Sequence, residues 1–167
     1  MDFSSMNLRI GQGIDIHPFL PGRELILGGV KIAHDRGLAG HSDADALLHA
    51  LMDALLGAAG KGDIGTYFPN DDPRWKGAAS TRLLEQVWGE LAGEGWRVGN
   101  LDCSLLCEAP KLQPHIPAMK ACISEILQIE TTQCGIKATT AEKLGFVGRQ
   151  EGLMTFAVVL IWRNGLG

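Results

Sequence analysis

The sequence predicts an α+β fold, or else a small α/β sheet: a single domain with a mixed β-sheet and helices packed on one of its faces. Three observations lead there. Strand-like and helix-like segments intermix along the chain without a strict alternation. The 167 residues fit one domain. A chain of that size covers about two thirds of its unfolded surface, enough for a real core. Composition is that of an ordinary globular protein, 46% hydrophobic and 20% charged, without internal repeat, low-complexity tract or linker.

The elements follow in order. LRIGQGIDIHPF alternates, with Leu8, Ile10, Ile14 and Ile16 on one face and Arg9, Gly11, Gly13, Asp15 and His17 on the other, as a strand requires. ELILGGVKI is a short apolar run broken by Gly28-Gly29, which suits a hairpin or bulge. HSDADALLHALMDALLGAAG reads as a helix, with Ser42 as its N-cap and Asp45 at the capping-box position. Leu47, Leu51, Leu55 and Ala58 form its apolar stripe, while Asp45, His49 and Asp53, four apart, line another face. A polar loop follows, then a second helix over about Ala79 to Gly93. WRVGNLDCSLLCEAP reads as a strand, PHIPAMKACISEILQ as a helix opened by its prolines, CGIKATT as a short strand and GLMTFAVVLIW as the closing strand.

Net charge is −4 with no basic run, which argues against nucleic acid or an anionic membrane as partner. No secretory leader or membrane span is recognisable. Cys103, Cys107, Cys122 and Cys134 contain no C-x-x-C pair, so they are expected to be reduced, buried thiols in a cytoplasmic protein.

Asp15 and His17 share a strand face, and His49 projects from the next helix. Two imidazoles and a carboxylate form a catalytic zinc set with an open fourth position. Gly11 and Gly13 would leave room beside the ion, and Asp45 or Asp53 could orient the His49 ring. A solvated polar face is the alternative. His41-Ser42, just before the helix, suits a phosphate at a helix N-terminus, or is only a cap. KATTAEKLGFVGR suits an anion site with Glu142 as a second-metal ligand, or is a charged solvated loop. No G-x-S-x-G, Walker-type loop, GxGxxG or cysteine-protease signature is present, so an enzyme here would depend on metal and not on a covalent nucleophile.

Six stretches then align with one family: RIGQGIDIHPF, LILGGV, HSDADALLHALMDALLGAAGKGDIG, FPNDDPRWKG, EAPKLQPHIPAM and KATTAEKLGFVGRQEG. In order and spacing the chain resembles 2-C-methyl-D-erythritol 2,4-cyclodiphosphate synthase of the non-mevalonate isoprenoid pathway. The resemblance implies a domain over 9–167, with 1–8 as a short extension. It implies a metal-dependent lyase in which the 2-phosphate of a CDP-linked methylerythritol attacks the β-phosphorus and CMP leaves. The substrate supplies its own nucleophile, which fits the missing signature motifs.

Residue by residue, the resemblance assigns Asp15, His17 and His49 to one Zn2+ per chain and Glu142 to a second divalent ion, Mg2+ or Mn2+. It assigns His41 and Thr140 to transition-state stabilisation, with Ser42 beside His41 at the helix N-terminus. Asp63, Ile64, Gly65, Phe68 and Asp72 would face the erythritol, and Pro110, Lys111 and Thr139 the cytidine. Phe146 and Arg149 would line an apolar channel. The family is a homotrimer whose sheets face a threefold axis, with active sites between subunits. Three residues depart from its pattern: Ala44 for glycine in HSDGD, Asn70 for aspartate in the substrate loop, and Phe156 near the channel end. Alanine suits a helix better than glycine, so Ala44 is expected to matter little. The competing readings are a metal-dependent phosphohydrolase and a non-catalytic trimeric ligand carrier.

Overall fold

The computed structural model describes residues 6–69 and 71–164. Asn70 and most of the expected N-terminal extension lie outside them. The strands are β1 (Met6–Pro21), β2 (Leu25–Leu27), β3 (Val30–Ile32), β4 (Arg36–Leu38), β5 (Arg97–Leu106), β6 (Cys134–Thr139) and β7 (Gly152–Asn164). The helices are α1 (Ala46–Ala59), α2 (Ile64–Tyr67), α3 (Ser80–Gly93), α4 (Ile116–Leu127) and α5 (Gly145–Gly148). Five strands form one sheet in the order β4-β1-β7-β5-β6. Among the described residues only β5 and β6 pair in parallel, joined by a crossover that carries α4, so the sheet is mixed as expected. β2 and β3 form a separate hairpin whose turn residues Gly28 and Gly29 both have positive φ, the backbone that a two-residue primed turn demands.

The core lies between one face of the sheet and the helices. Leu153, Thr155, Ala157, Val159 and Ile161 of β7 alternate inward. On β5 a bulge between Val98 and Asn100 resets the period, so Val98 and then Leu101, Cys103 and Leu105 all face the core. Leu84, Val87 and Leu91 of α3 and Met119, Ile123 and Leu127 of α4 close it.

β1 is the exception to the usual amphipathic rule. Its apolar side, Leu8, Ile10, Ile14, Ile16 and Leu20, faces outward, with Ile10 at 74% exposure, while Gly11 and Gly13 are buried against α1. A Cβ at either glycine would come within 1.9 Å of an α1 carbonyl oxygen, Ala54 for Gly11 and Ala50 for Gly13. The glycines therefore do not make room beside an ion, as the sequence suggested. They let a helix with Ala50, Ala54 and Ala58 on one side rest directly on the strand backbone. α1 is buried on nearly every side, well beyond the predicted leucine stripe.

The start of α1 also differs from expectation. Asp45, not Ser42, is the N-cap, accepting from the Leu48 amide at 3.1 Å. The same carboxylate accepts the Gly28 and Gly29 amides at 2.9 and 2.7 Å, tying the β2–β3 turn to the helix. Ala44 precedes the helix with φ +60°, so helix propensity is irrelevant there, and the family's glycine fits a left-handed backbone. Ser42 lies in a turn ahead of it, its Oγ accepting the Ala44 amide at 3.1 Å.

Candidate metal centre

Asp15 and His17 project from the same side of β1, and the glycine contact brings α1 close enough for His49 to meet them. Asp15 Oδ2 lies 2.9 Å from His17 Nε2 and 3.1 Å from His49 Nδ1, and the two ring nitrogens are 3.3 Å apart. Ligand atoms around a tetrahedral ion with bonds of about 2.0–2.2 Å stand about 3.3–3.6 Å apart, so the triangle needs to open by only a few tenths of an ångström to take a divalent ion. His17 Nδ1–H donates to the Ala39 carbonyl at 2.5 Å, which leaves the Nε2 lone pair facing the triangle. Donor type, tautomer and spacing all fit a metal.

The electrostatics agree. Burial alone would raise the Asp15 carboxyl, but hydrogen bonds and charge from His17 and His49 outweigh it and hold it at about 2. Burial opposes protonation of His17, yet the adjacent Asp15 carboxylate prevails and raises its pKa.

Neither acid expected to orient the His49 ring does so. Asp45 serves the β2–β3 turn, and Asp53 accepts the Ile64 amide at 2.8 Å. The ring's outer nitrogen instead meets Ser42 Oγ at 3.1 Å and Ser80 Oγ at 3.0 Å. Position i+4 on a helix gives proximity, but both carboxylates are engaged by backbone amides, which they satisfy better.

A cavity of 570 Å³ opens onto the triangle. Of the residues singled out from sequence, it gathers Asp15, His17, His41, Ser42, His49, Ile64, Gly65 and Phe68. Gly40, Trp75 and Leu83 also line it and were not foreseen. Trp75 sits in a stretch that reads only as a polar loop, but its edge-on contact with Phe68, at 5.0 Å between centroids, builds the apolar wall. His41 Nε2 is 3.4 Å from the Asp72 carbonyl. Asp63 caps α2 through the Thr66 amide at 2.9 Å, and the Asp72 carboxylate is paired with Arg74. The amides near His41 and Ser42 are not free helix-terminal groups, since Asp43 N–H donates to Ala78 O and Asp45 N–H to Asp43 Oδ1.

The other expected residues do not line this cavity. Five of them, Pro110, Lys111, Thr139, Thr140 and Glu142, cluster at the carboxyl ends of the parallel pair β5 and β6, where the Cys107 amide donates to Thr139 O at 3.0 Å. Pro110 and Lys111 follow β5, and Thr139, Thr140 and Glu142 end or follow β6. Glu142 and Lys143 have φ of +50° and +64°, a tight turn that lets the Thr140 hydroxyl donate to Glu142 Oε1 at 2.6 Å. Glu108 Oε2 accepts the Ala141 amide at 3.2 Å, linking the two loops. Phe146 lies in a third place, a hollow shared with Ile16, His17 and Pro18, and Arg149 is paired with Glu151 at 2.8 Å.

The model of the YgbB family matches residues 8–162. The chain belongs to the YgbB family. Among its relatives, 2-C-methyl-D-erythritol 2,4-cyclodiphosphate synthase of Cupriavidus pinatubonensis is 55% identical over 160 residues, 96% of this chain and 95% of that protein. The enzyme of the same name from a Synechococcus species is 57% identical over 154 residues, 92% of this chain and 98% of that protein. Solved structures agree. The bifunctional IspDF of Campylobacter jejuni superposes with a TM-score of 0.92 at 40% identity, covering 96% of this chain and 44% of that one. The CDP complex of IspF from Plasmodium falciparum gives 0.83 at 32%, covering 96% of this chain and 98% of that one. The six-motif resemblance is thus borne out, and this YgbB member shares the α+β fold of those structures. Among the described residues, no helix is long and apolar enough to cross a membrane.

Proposed function

We propose that the chain converts 4-diphosphocytidyl-2-C-methyl-D-erythritol 2-phosphate to 2-C-methyl-D-erythritol 2,4-cyclodiphosphate with release of CMP, as a metal-dependent phosphorus–oxygen lyase of isoprenoid precursor biosynthesis. The observation that carries the reading is a three-donor triangle of metal-binding size opening onto a cavity lined by His41, Ser42, Ile64 and Gly65, in a chain of this family. An oxygen of the 2-phosphate forms a bond to the β-phosphorus, the bond from that phosphorus to the bridging oxygen breaks, and CMP departs with that oxygen.

Asp15, His17 and His49 hold one Zn2+, which when bound supplies a Lewis acid and template for a substrate phosphate oxygen. Ser42 Oγ accepts the Ala44 amide, which leaves its own proton free to donate to phosphate. His41, on the same wall, donates to charge developing on the reacting phosphates. Backbone groups of Ile64 and Gly65, with Asp63 and Asp72, meet the erythritol hydroxyls, while Phe68 and Trp75 keep water away. Pro110, Lys111 and Thr139 receive the cytidine moiety. Glu142, with Thr140 beside it, would hold the second divalent ion, Mg2+ or Mn2+, which would neutralise charge on the substrate's phosphates.

The active form in this reading is a cytoplasmic homotrimer, its domain spanning 9–167. Two observations support assembly. The outward apolar face of β1 continues through Val158 of β7, more exposed hydrophobic surface than a monomer comfortably carries. The metal cavity and the β5–β6 cluster also share no lining residue in one chain, as a site completed by a neighbour requires. Phe146 and Arg149 then line the channel on the axis. The test is turnover followed by phosphorus NMR. CMP and a cyclic diphosphate are expected, with activity lost on stripping zinc. A linear product, or turnover indifferent to zinc removal, overturns the reading.

A further inference from the structure

Behind His49, away from the cavity, lies a hydrogen-bond chain that no ligand role accounts for. Ser80, the first residue of α3, is fully buried. Its Oγ lies 2.5 Å from Asp43 Oδ1 and 3.0 Å from His49 Nε2, and its amide donates to Asp43 Oδ2 at 2.9 Å. An ionised carboxylate only accepts, so the Ser80 hydroxyl hydrogen goes to Asp43. The lone pairs of Ser80 then face His49, and Nε2 must carry a hydrogen to meet them. Ser42 Oγ, 3.1 Å from the same nitrogen and already an acceptor from Ala44, takes the second branch of that donor. Nδ1, on the other side of the ring, faces Asp15 and His17 and supplies its lone pair when a cation stands between them.

We propose that Asp43 and Ser80 are positioning residues of the metal centre, a carboxylate–hydroxyl–imidazole relay that fixes His49 as the Nε2–H tautomer and so presents Nδ1 as a ligand. The inference rests on the metal reading of Asp15, His17 and His49. It pairs with the Ala39 carbonyl, which does the same for His17 from the other side. Outer partners of this kind change metal affinity about 10- to 100-fold when removed. The relay also ties α3, whose own N-cap Ala79 makes no side-chain bond, to the turn ahead of α1.

Asp43→Asn separates the tautomer role from simple packing. The Ser80 amide still needs an acceptor, so the asparagine oxygen turns to it and the NH2 meets Ser80 Oγ. The Ser80 hydroxyl must then donate to His49 Nε2, which moves the ring hydrogen to Nδ1. The experiment measures zinc affinity by chelator competition on the full chain, and the His49 Nε2–H resonance by nitrogen NMR of the zinc-loaded protein. Wild type should show Nε2–H shielded from exchange. Ser80→Ala should weaken zinc binding about 10- to 100-fold, and Asp43→Asn at least as much, with the Nε2–H resonance lost or shifted at saturating zinc. Wild-type zinc affinity in both variants, or an unchanged Nε2–H resonance in Asp43→Asn, overturns the proposal, even where the variants melt earlier. Zinc binding that is absent in wild type, or that survives His49→Ala, sinks the metal reading and the relay with it.

Discussion

Gly13→Ala tests the contact on which the site is built. By propensity alone the change should help, since glycine in a strand costs about 0.5–1 kcal/mol relative to alanine. The structure demands the opposite sign. The new Cβ would sit 1.9 Å from Ala50 O and 2.9 Å from the Ala50 carbonyl carbon and the Ala54 nitrogen. That is about 1.5 Å inside ordinary contact, and every obstructing atom is helix backbone that no rotamer can move. Overpacking among side chains costs about 1–3 kcal/mol; here the whole of α1 must lift, so a loss above about 3 kcal/mol is expected. His49 precedes Ala50 and moves with it, so zinc affinity should fall by about 100-fold, the scale of effect of an ångström-sized misplacement. Gly57→Ala is the control. It lies in the same helix with nothing near its would-be Cβ, and should gain about 0.5–1 kcal/mol. Urea denaturation of the chelator-treated proteins reads the first quantity and chelator competition the second. A Gly13→Ala chain as stable as wild type would refute the backbone-to-backbone contact.

Asp45→Ala removes the acceptor of three amides, those of Gly28, Gly29 and Leu48, and should cost about 2–4 kcal/mol in urea denaturation, against a cost below about 1 kcal/mol for an ordinary exposed cap. Glu142→Ala should leave zinc content at one per chain but weaken the response of turnover to added magnesium, and a fall in zinc would mean the two metal roles are misassigned. Thiol titration of the native protein should find Cys122 alone reacting promptly, because it is only half-buried. Burial pushes Cys107 and Cys134 up to about 11 and Cys103 higher still. Prompt reaction of two or more thiols without denaturant would contradict the packing around β5 and β6.

The pieces of the fold that depend on local pattern are legible in the chain. Period-two alternation finds β1, a β-branched-rich apolar run finds β7, glycines close α3 and prolines open α4, and D-x-H on a strand with a histidine on the next helix finds the metal triangle. What pattern cannot reveal is which side of an alternating strand is buried. On β1 the isoleucines face out and the glycines face in, because α1 approaches to backbone contact. The misplaced start of α1 has a similar origin: Asp45 is claimed by the Gly28-Gly29 turn, a contact made across 16 and 17 residues. Cys122 was expected to be buried with the other cysteines and is only partly so. Ser80 and Asp43 stand 37 positions apart, and only the folded chain shows that they hydrogen-bond.

The glycine contact also gives the triangle a mechanical character. Side chains between a helix and a strand act as compliant spacers, since rotamers can absorb a small displacement. Between β1 and α1 that layer is missing at Gly11 and Gly13, so strand and helix behave as one stiff frame. The distance between the strand that carries Asp15 and His17 and the helix that carries His49 is then set by main-chain packing. An ion that needs bonds of about 2.3–2.6 Å and six or more oxygens, as calcium does, could be seated only by prising helix from strand. The frame thus sorts cations by radius before ligand chemistry has any say.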